Sequence, residues 1–83
     1  MNYWLSSIAQ NKNLRGEDLR IIFFLLSTIE DGSPKAHISA SQIAQALKIK
    51  RSNVYRSLSR LIKQQVISQI IFNQKIVGYT LLL

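Results

Sequence analysis

The chain has 83 residues, of which 47% are hydrophobic, 11 are lysine or arginine and only 4 are aspartate or glutamate, so its formal charge is +7. A chain of this length forms one small domain, here residues 1–83. It has no cysteine and therefore no disulfide or thiolate metal site. Its longest apolar run, residues 21–26, is far shorter than the roughly 18 residues that span a bilayer. The N-terminus also lacks the pattern of a signal peptide, and together these features predict a cytoplasmic protein.

The positive charge lies almost entirely in the second part of the chain. No aspartate or glutamate follows Asp31, whereas eight lysines and arginines do. A basic segment without carboxylates is typical of proteins that bind the phosphate backbone of nucleic acids. A surface kept basic for solubility is the other ordinary explanation.

Residues 16–30 are predicted to form the first long helix. Glu17 and Asp18 suit its positive N-terminal end, and Gly32 is expected to cap its C-terminus. Helical spacing assigns a first group of apolar residues to the core: Leu19, Ile22, Phe23, Leu26 and Ile29. A second face is apolar as well, at Ile21, Phe24 and Leu25. Its expected cover is either a second copy of the protein or an N-terminal segment that contains Tyr3, Trp4, Leu5 and Ile8.

The middle of the chain predicts a short strand and two helices. The strand covers residues 36–39, and a capping box of Ser39 and Gln42 opens a helix at 40–48. The following helix covers about residues 51–64. The residues expected to face the core are Ile43, Ala44 and Leu47 on the first of these helices and Val54, Leu58, Leu61 and Ile62 on the second.

Two runs rich in β-branched and aromatic residues, 66–72 and 75–82, flank Asn73 and Gln74 and predict a β-hairpin. Helix, strand, helix, helix, strand, strand is the order of a winged helix. The predicted class is α+β, mostly α: a three-helix core with a short strand and a hairpin wing. Residues 1–13 are a flanking segment, 38–64 the helix-turn-helix and 66–82 the wing.

The segment from residue 38 to 67 resembles the winged helix-turn-helix of MarR-type bacterial regulators. The resemblance depends on the spacing of Ile43, Ala44, Leu47, Ile49, Val54, Leu58, Leu61 and Ile67. With residues 14–29 in front, the chain is also similar to the DNA-binding domains of plasmid and phage replication proteins. Gln65 stands where these regulators usually have a glycine, and the long helices with which MarR proteins dimerise are absent.

The outward face of the second helix is the predicted reading surface. Asn can pair with adenine and Arg with guanine, so Asn53 and Arg56, with the neighbouring Ser52, are the expected base contacts. The hydroxyl of Ser52 could instead hold a phosphate. The expected phosphate contacts are Ser41, Arg51, Arg60, Lys63 and, on the wing, Lys75. A merely solvated face is the competing interpretation, but such helices usually mix both charge signs. Tyr55 is expected to pack at the boundary of the core.

These observations predict a double-stranded DNA-binding protein, a regulator of transcription or of plasmid or phage replication. A protein-interaction winged helix within a larger assembly and an RNA-binding module are the alternatives. A homodimer is expected, held by apolar residues outside the helix-turn-helix: Trp4, Leu5, Ile21, Phe24, Leu25 and Leu81 to Leu83. His37 has no partners for a metal site, and we expect no catalysis, cofactor or small-molecule ligand.

Overall fold

A computed structural model describes residues 2–30 and 32–83. This part of the chain has an α+β structure of four helices, which hold about half of the residues, and one antiparallel sheet of three strands. The helices are α1 (Asn2–Gln10), α2 (Gly16–Thr28), α3 (Ala40–Leu47) and α4 (Arg51–Lys63), and the strands are β1 (Lys35–Ala36), β2 (Ile67–Phe72) and β3 (Lys75–Leu81). The predicted α+β class and order of elements are confirmed, with α1 added at the N-terminus.

Helix α2 is the centre of the core and contributes residues from both predicted apolar groups. Of the first group, Ile22 is buried and Leu19, Leu26 and Ile29 pack against the core. Ile21, Ile22 and Leu25 are fully buried, whereas the side chain of Phe23 is 62% exposed. The prediction that Phe23 points inward is therefore wrong. Helix α2 is apolar around most of its circumference, so spacing alone could not determine which side faces inward. Packing against α3, α4 and β1 determines it.

The second apolar face of α2 is covered from within the chain. Trp4 and Ile8 of α1 belong to the same buried core as Ile21 and Leu25. The segment after α1 is tied to the end of α4, because the side-chain amides of Asn11 and Asn13 both donate to the Oε1 of Gln64, at 3.2 and 3.4 Å. Ile21 and Leu25 are therefore buried within one chain, in a core to which the N-terminal segment contributes Trp4 and Ile8.

The connection from α2 to β1 differs from the prediction at both ends. Helix α2 ends at Thr28 rather than at residue 30, and Ile29, in extended conformation, is its C-cap in place of Gly32. The hydroxyls of Ser27 and Thr28 donate to the carbonyls of Phe24 and Leu25 and so satisfy two carbonyls of the last turn. Strand β1 is limited to Lys35–Ala36, since Ser39 is used for capping.

The capping box of α3 is confirmed. The Ser39 hydroxyl accepts from the amide of Gln42 at 3.1 Å, and the Oε1 of Gln42 accepts from the amide of Ser39 at 2.9 Å. Helix α3 ends at Leu47, one residue before the predicted end, and its C-cap Lys48 adopts a left-handed conformation with φ 56°. Arg20 of α2 supports this helix end by donating to the carbonyl of Leu47 at 3.1 Å.

Helix α4 passes into the hairpin through a Schellman motif centred on Gln65. The amide of Gln65 donates to the carbonyl of Ile62, and the amide of Val66 donates to the carbonyl of Leu61. Gln65 has φ 60°, the left-handed conformation that usually selects glycine. The helix thus ends with the geometry that glycine favours, although the residue is glutamine.

The sheet has the strand order β1-β3-β2. In the hairpin, Phe72 is opposite Lys75, and both residues between them, Asn73 and Gln74, have positive φ, as a two-residue type I′ turn requires. The predicted hairpin and its turn are confirmed. A β-bulge between Ile70 and Ile71 shifts the register of its outer half.

Candidate nucleic-acid interface

Helix α4 has one buried stripe and one polar face. Val54, Leu58 and Leu61 are buried and Ile62 is half-buried, which confirms the inward stripe predicted for this helix. The opposite face exposes Arg51, Ser52, Arg56, Ser59 and Lys63. All charges on α4 are positive, and Arg60 and Lys63 in its last turn suit the negative end of the helix dipole.

The two side chains predicted to read bases lie next to each other. Arg56 is exposed and Asn53 is half-buried, and the Nη1 of Arg56 donates a long hydrogen bond of 3.5 Å to the Oδ1 of Asn53. This contact holds the two side chains side by side on α4. Both side chains line a cleft of about 280 Å³ between α4 and the start of α2, together with Arg15, Gly16, Glu17 and Arg60.

Arg60 has an intramolecular partner that the sequence analysis did not anticipate. Its Nε and Nη2 donate to the two carboxylate oxygens of Asp18, both at 3.0 Å, in a bidentate ion pair. Asp18 is fully buried and also accepts from the amide of Arg15 at 2.8 Å. Arg60 is therefore held against α2, so its expected role as a phosphate contact is revised to that of a residue that fixes α4 in place.

The environment of Asp18 favours its charged form. Burial by itself raises the pKa of the carboxyl group, but hydrogen bonds from Arg60, from the hydroxyl of Ser57 and from the amide of Arg15 outweigh it. The pKa of Asp18 thus lies below its ordinary value of 3.8. The same pairing raises the pKa of Arg60. At neutral pH the pair consists of two full charges.

Sequence reasoning missed this pair because the carboxylate comes from another helix. Asp18 was interpreted as a residue that complements the dipole of α2, and α4 itself contains no acid with which Arg60 could pair. The sequence did contain one indication that Asp18 is buried. Asp18 lies one helical turn before Ile21 and Ile22, on the side of α2 that faces the core.

A second cleft brings α3, α4 and the hairpin together. It has a volume of about 110 Å³ and is lined by Ser39, Ala40, Ser41, Tyr55, Ile76 and Tyr79. Ser41, predicted to hold a phosphate, is thus near Tyr55 of α4 and near Ile76 of the hairpin. Burial raises the pKa of Tyr79, and the neighbouring Tyr55 adds to the effect.

Tyr55 is more exposed than a boundary packing residue needs to be. Its side chain is 49% exposed, and it also lines a shallow cleft of about 360 Å³ with Arg56, Ser59, Arg60 and Lys63. Tyr55 therefore lies between the side chains predicted to read bases and the hairpin. The spacing of α4 placed it only at the edge of the buried stripe.

The remaining cations of the candidate interface lie at its two ends. Lys75 is exposed at the start of β3, beside the hairpin turn. Lys48 and Lys50 are exposed in the connection between α3 and α4, and neither was singled out from the sequence. The sequence shows these two lysines next to the N-terminus of α4, but no motif indicated a role for them.

Two further features of the described residues concern metal sites and membrane spans. In residues 2–30 and 32–83 no group of three or more histidine, cysteine, aspartate or glutamate side chains could hold a metal ion, and His37 is exposed. Within the same ranges no helix is both long and apolar enough to cross a membrane.

No protein-family model matches the chain, and no curated protein matches it significantly.

Proposed function

We propose that this protein is a winged helix-turn-helix that binds double-stranded DNA, with α3 and α4 as the helix-turn-helix and the β2–β3 hairpin as the wing. In this assignment α4 enters the major groove, Asn53 and Arg56 contact base edges with Ser52 beside them, and the surrounding cations hold phosphates. The phosphate contacts are Ser41, Arg51, Lys63 and Lys75, with Lys48 and Lys50 added. Such a protein would act in the cytoplasm as a regulator of transcription or of plasmid or phage replication.

One observation carries this proposal: all charges on α4 are positive, and the two carboxylates beside it, Glu17 and Asp18, belong to α2. The carboxylate of Asp18 is fully buried, and Arg60 neutralises it. Arg51, Arg56 and Lys63 on the same helix are exposed. A helix whose charges are all positive creates a field that attracts a partner of the opposite sign, and phosphates supply that partner at regular spacing.

Salt-dependent binding to duplex DNA tests the proposal. We expect the logarithm of the association constant for a fluorescent duplex of about 20 base pairs to fall linearly with the logarithm of the salt concentration, since each neutralised phosphate releases counterions. Single-stranded DNA and duplex RNA of the same length are the comparison ligands. Tighter binding to duplex RNA would support the RNA-binding alternative, and the absence of salt-dependent binding to all three would refute a nucleic-acid function.

The role of Arg56 is tested by Arg56→Ala. A bidentate contact to guanine predicts a loss of about 1–3 kcal/mol at a selected site and relaxed preference at one base position. Lys35→Ala is the matched control, because it removes one exposed cation from β1, at the opposite edge of the sheet from β2. Equal losses on selected and random duplexes would place Arg56 among the phosphate contacts.

A protein-interaction role is the second candidate, and the exposed apolar residues of the hairpin favour it. Ile71 and Phe72 are 62% and 66% exposed near the hairpin turn. Exposed apolar groups at one site often mark an interface with another protein.

A further inference from the structure

The outer half of the hairpin carries an apolar surface that the chain itself leaves open. Four of its side chains are exposed to a large degree: Ile71 by 62%, Phe72 by 66%, Ile76 by 47% and Val77 by 39%. Successive strand residues point to opposite faces of a sheet, so Ile71 and its partner Ile76 lie on one face and Phe72 lies on the other. Exposed apolar side chains therefore flank the outer half of the hairpin on both faces.

Strand β2 also has a free hydrogen-bonding edge. In the order β1-β3-β2 it pairs only with β3, and no other described strand lies on its outer side. The amide of Leu82 donates to the carbonyl of Val66, so Ser68 and Ile70 also bond toward β3, because these bonds alternate along an antiparallel pair. The amides and carbonyls of the intervening Gln69 and Ile71 therefore point to the free edge.

This edge lacks the usual protection against pairing. Edge strands are commonly blocked by charged side chains or proline, but β2 has the sequence ISQIIF, with neither. Between Gln64 and Leu83 the only charged side chain is Lys75, on the neighbouring strand. The hairpin is therefore a nearly neutral surface on a protein of charge +7.

We propose that β2 is the interface of a weak homodimer, in which the β2 strands of two copies pair antiparallel about a two-fold axis at Gln69. A second copy fits because a strand edge can pair with itself about a two-fold axis and because the two copies meet where charge repulsion is smallest. With the axis at Gln69, the outward backbone amide and carbonyl of Gln69 pair with those of Gln69 in the other copy. The outward groups of Ile67 pair in the same way with those of Ile71 in the other copy. The two sheets then form one sheet of six strands.

The expected affinity is low because strand pairing buries the edge of β2 and little of the two sheet faces, so the contact is smaller than the roughly 1,200 Å² of a standard stable interface. We therefore expect a weak dimer that forms at micromolar or higher concentrations. This inference does not depend on DNA binding, and its test is carried out without nucleic acid.

Sedimentation equilibrium over a concentration series that reaches several hundred micromolar measures the association. The expected result is a rise from 9.5 kDa toward twice that mass. Ile71→Lys places a charge at the edge and should weaken association at least about tenfold. The matched control is Phe23→Lys, which replaces an equally exposed apolar residue on α2 and should leave the association constant unchanged. Both positions are exposed, and circular dichroism verifies that each variant is folded.

A single cysteine tests the register, because the natural chain has none. Directly opposed residues in a hydrogen-bonded pair lie about 5.5 Å apart between Cα atoms, a distance that suits a disulfide. Gln69→Cys should therefore form a disulfide-linked dimer on mild oxidation, whereas Ser59→Cys on α4 should not.

Several outcomes would overturn the proposal. A mass of 9.5 kDa across the whole series would exclude the dimer. Loss of association in Phe23→Lys but not in Ile71→Lys would move the interface to α2. Equal cross-linking of the two cysteine variants would reject the β2 register. An association constant that is unchanged in Ile71→Lys would exclude the β2 edge as the interface.

Discussion

Replacing Asp18 with asparagine tests the ion pair that holds α4 against α2. The carboxylate accepts two hydrogen bonds from Arg60 and one from the amide of Arg15. Asparagine keeps the size of the side chain but removes its charge and turns one acceptor into a donor that faces the guanidinium group. The change therefore removes the pairing with little effect on packing.

The loss of stability depends on which member of the Arg60–Asp18 pair remains. Breaking a buried ion pair typically costs about 3–5 kcal/mol when the remaining charge is left without solvent. The side chain of Arg60 is 28% exposed and can turn toward water, so Asp18→Asn should cost less, about 2–3 kcal/mol. Arg60→Ala leaves the fully buried Asp18 unpaired and should cost about 3–5 kcal/mol.

Urea unfolding at pH 7, followed by circular dichroism, measures both losses and that of the double variant. The two changes remove the same interaction, so the double variant should be about 1.5–3 kcal/mol more stable than the sum of the single losses predicts. Additive losses, or a loss below about 0.5 kcal/mol for Asp18→Asn, would refute the conclusion that this pair fixes α4.

The pH dependence provides an independent test. The folded pKa of Asp18 lies below 3.8, so its contribution to stability is fully present above the unfolded value and is lost as the pH falls through the folded value. The natural protein should therefore lose more stability on acidification below about pH 3.8 than Asp18→Asn does. Equal losses in the two proteins would mean that the carboxylate gains nothing from its partners.

Three further predictions concern the hairpin and its connection to α4. Gln65→Gly should stabilise the protein by about 0.5–1 kcal/mol because residue 65 has φ 60°, whereas Gln45→Gly, at an exposed position inside α3, should destabilise it by about as much in the same urea assay; a loss in both would reject strain at residue 65. Gly78→Ala should cost about 1–3 kcal/mol, since a Cβ there would overlap the carbonyl oxygen of Ala36 and lie 3.0 Å from the Cα of His37; unchanged stability would show that β1 moves away freely. Lys75→Ala should reduce the salt slope of DNA binding by about one unit, and an unchanged slope would mean that the hairpin turn does not contact the backbone.

The sequence by itself determined the elements whose signals are local. The capping box of Ser39 and Gln42, the inward stripe of α4 at Val54, Leu58 and Leu61, and the turn at Asn73 and Gln74 all depend on residues a few positions apart. Such signals do not depend on the rest of the fold, and the structure confirms them. The positive charge of α4 is also determined by the residues of the helix itself.

Tertiary structure alone decided three features. It selected the buried side of α2, because a helix that is apolar on most sides can pack in several orientations and only its neighbours choose among them. It paired Arg60 with Asp18, which lies on another helix and 42 positions earlier in the chain, and so removed one cation from the predicted reading surface. It left the edge of β2 open, because the order of strands in a sheet depends on contacts between distant segments and is not encoded in the strand itself.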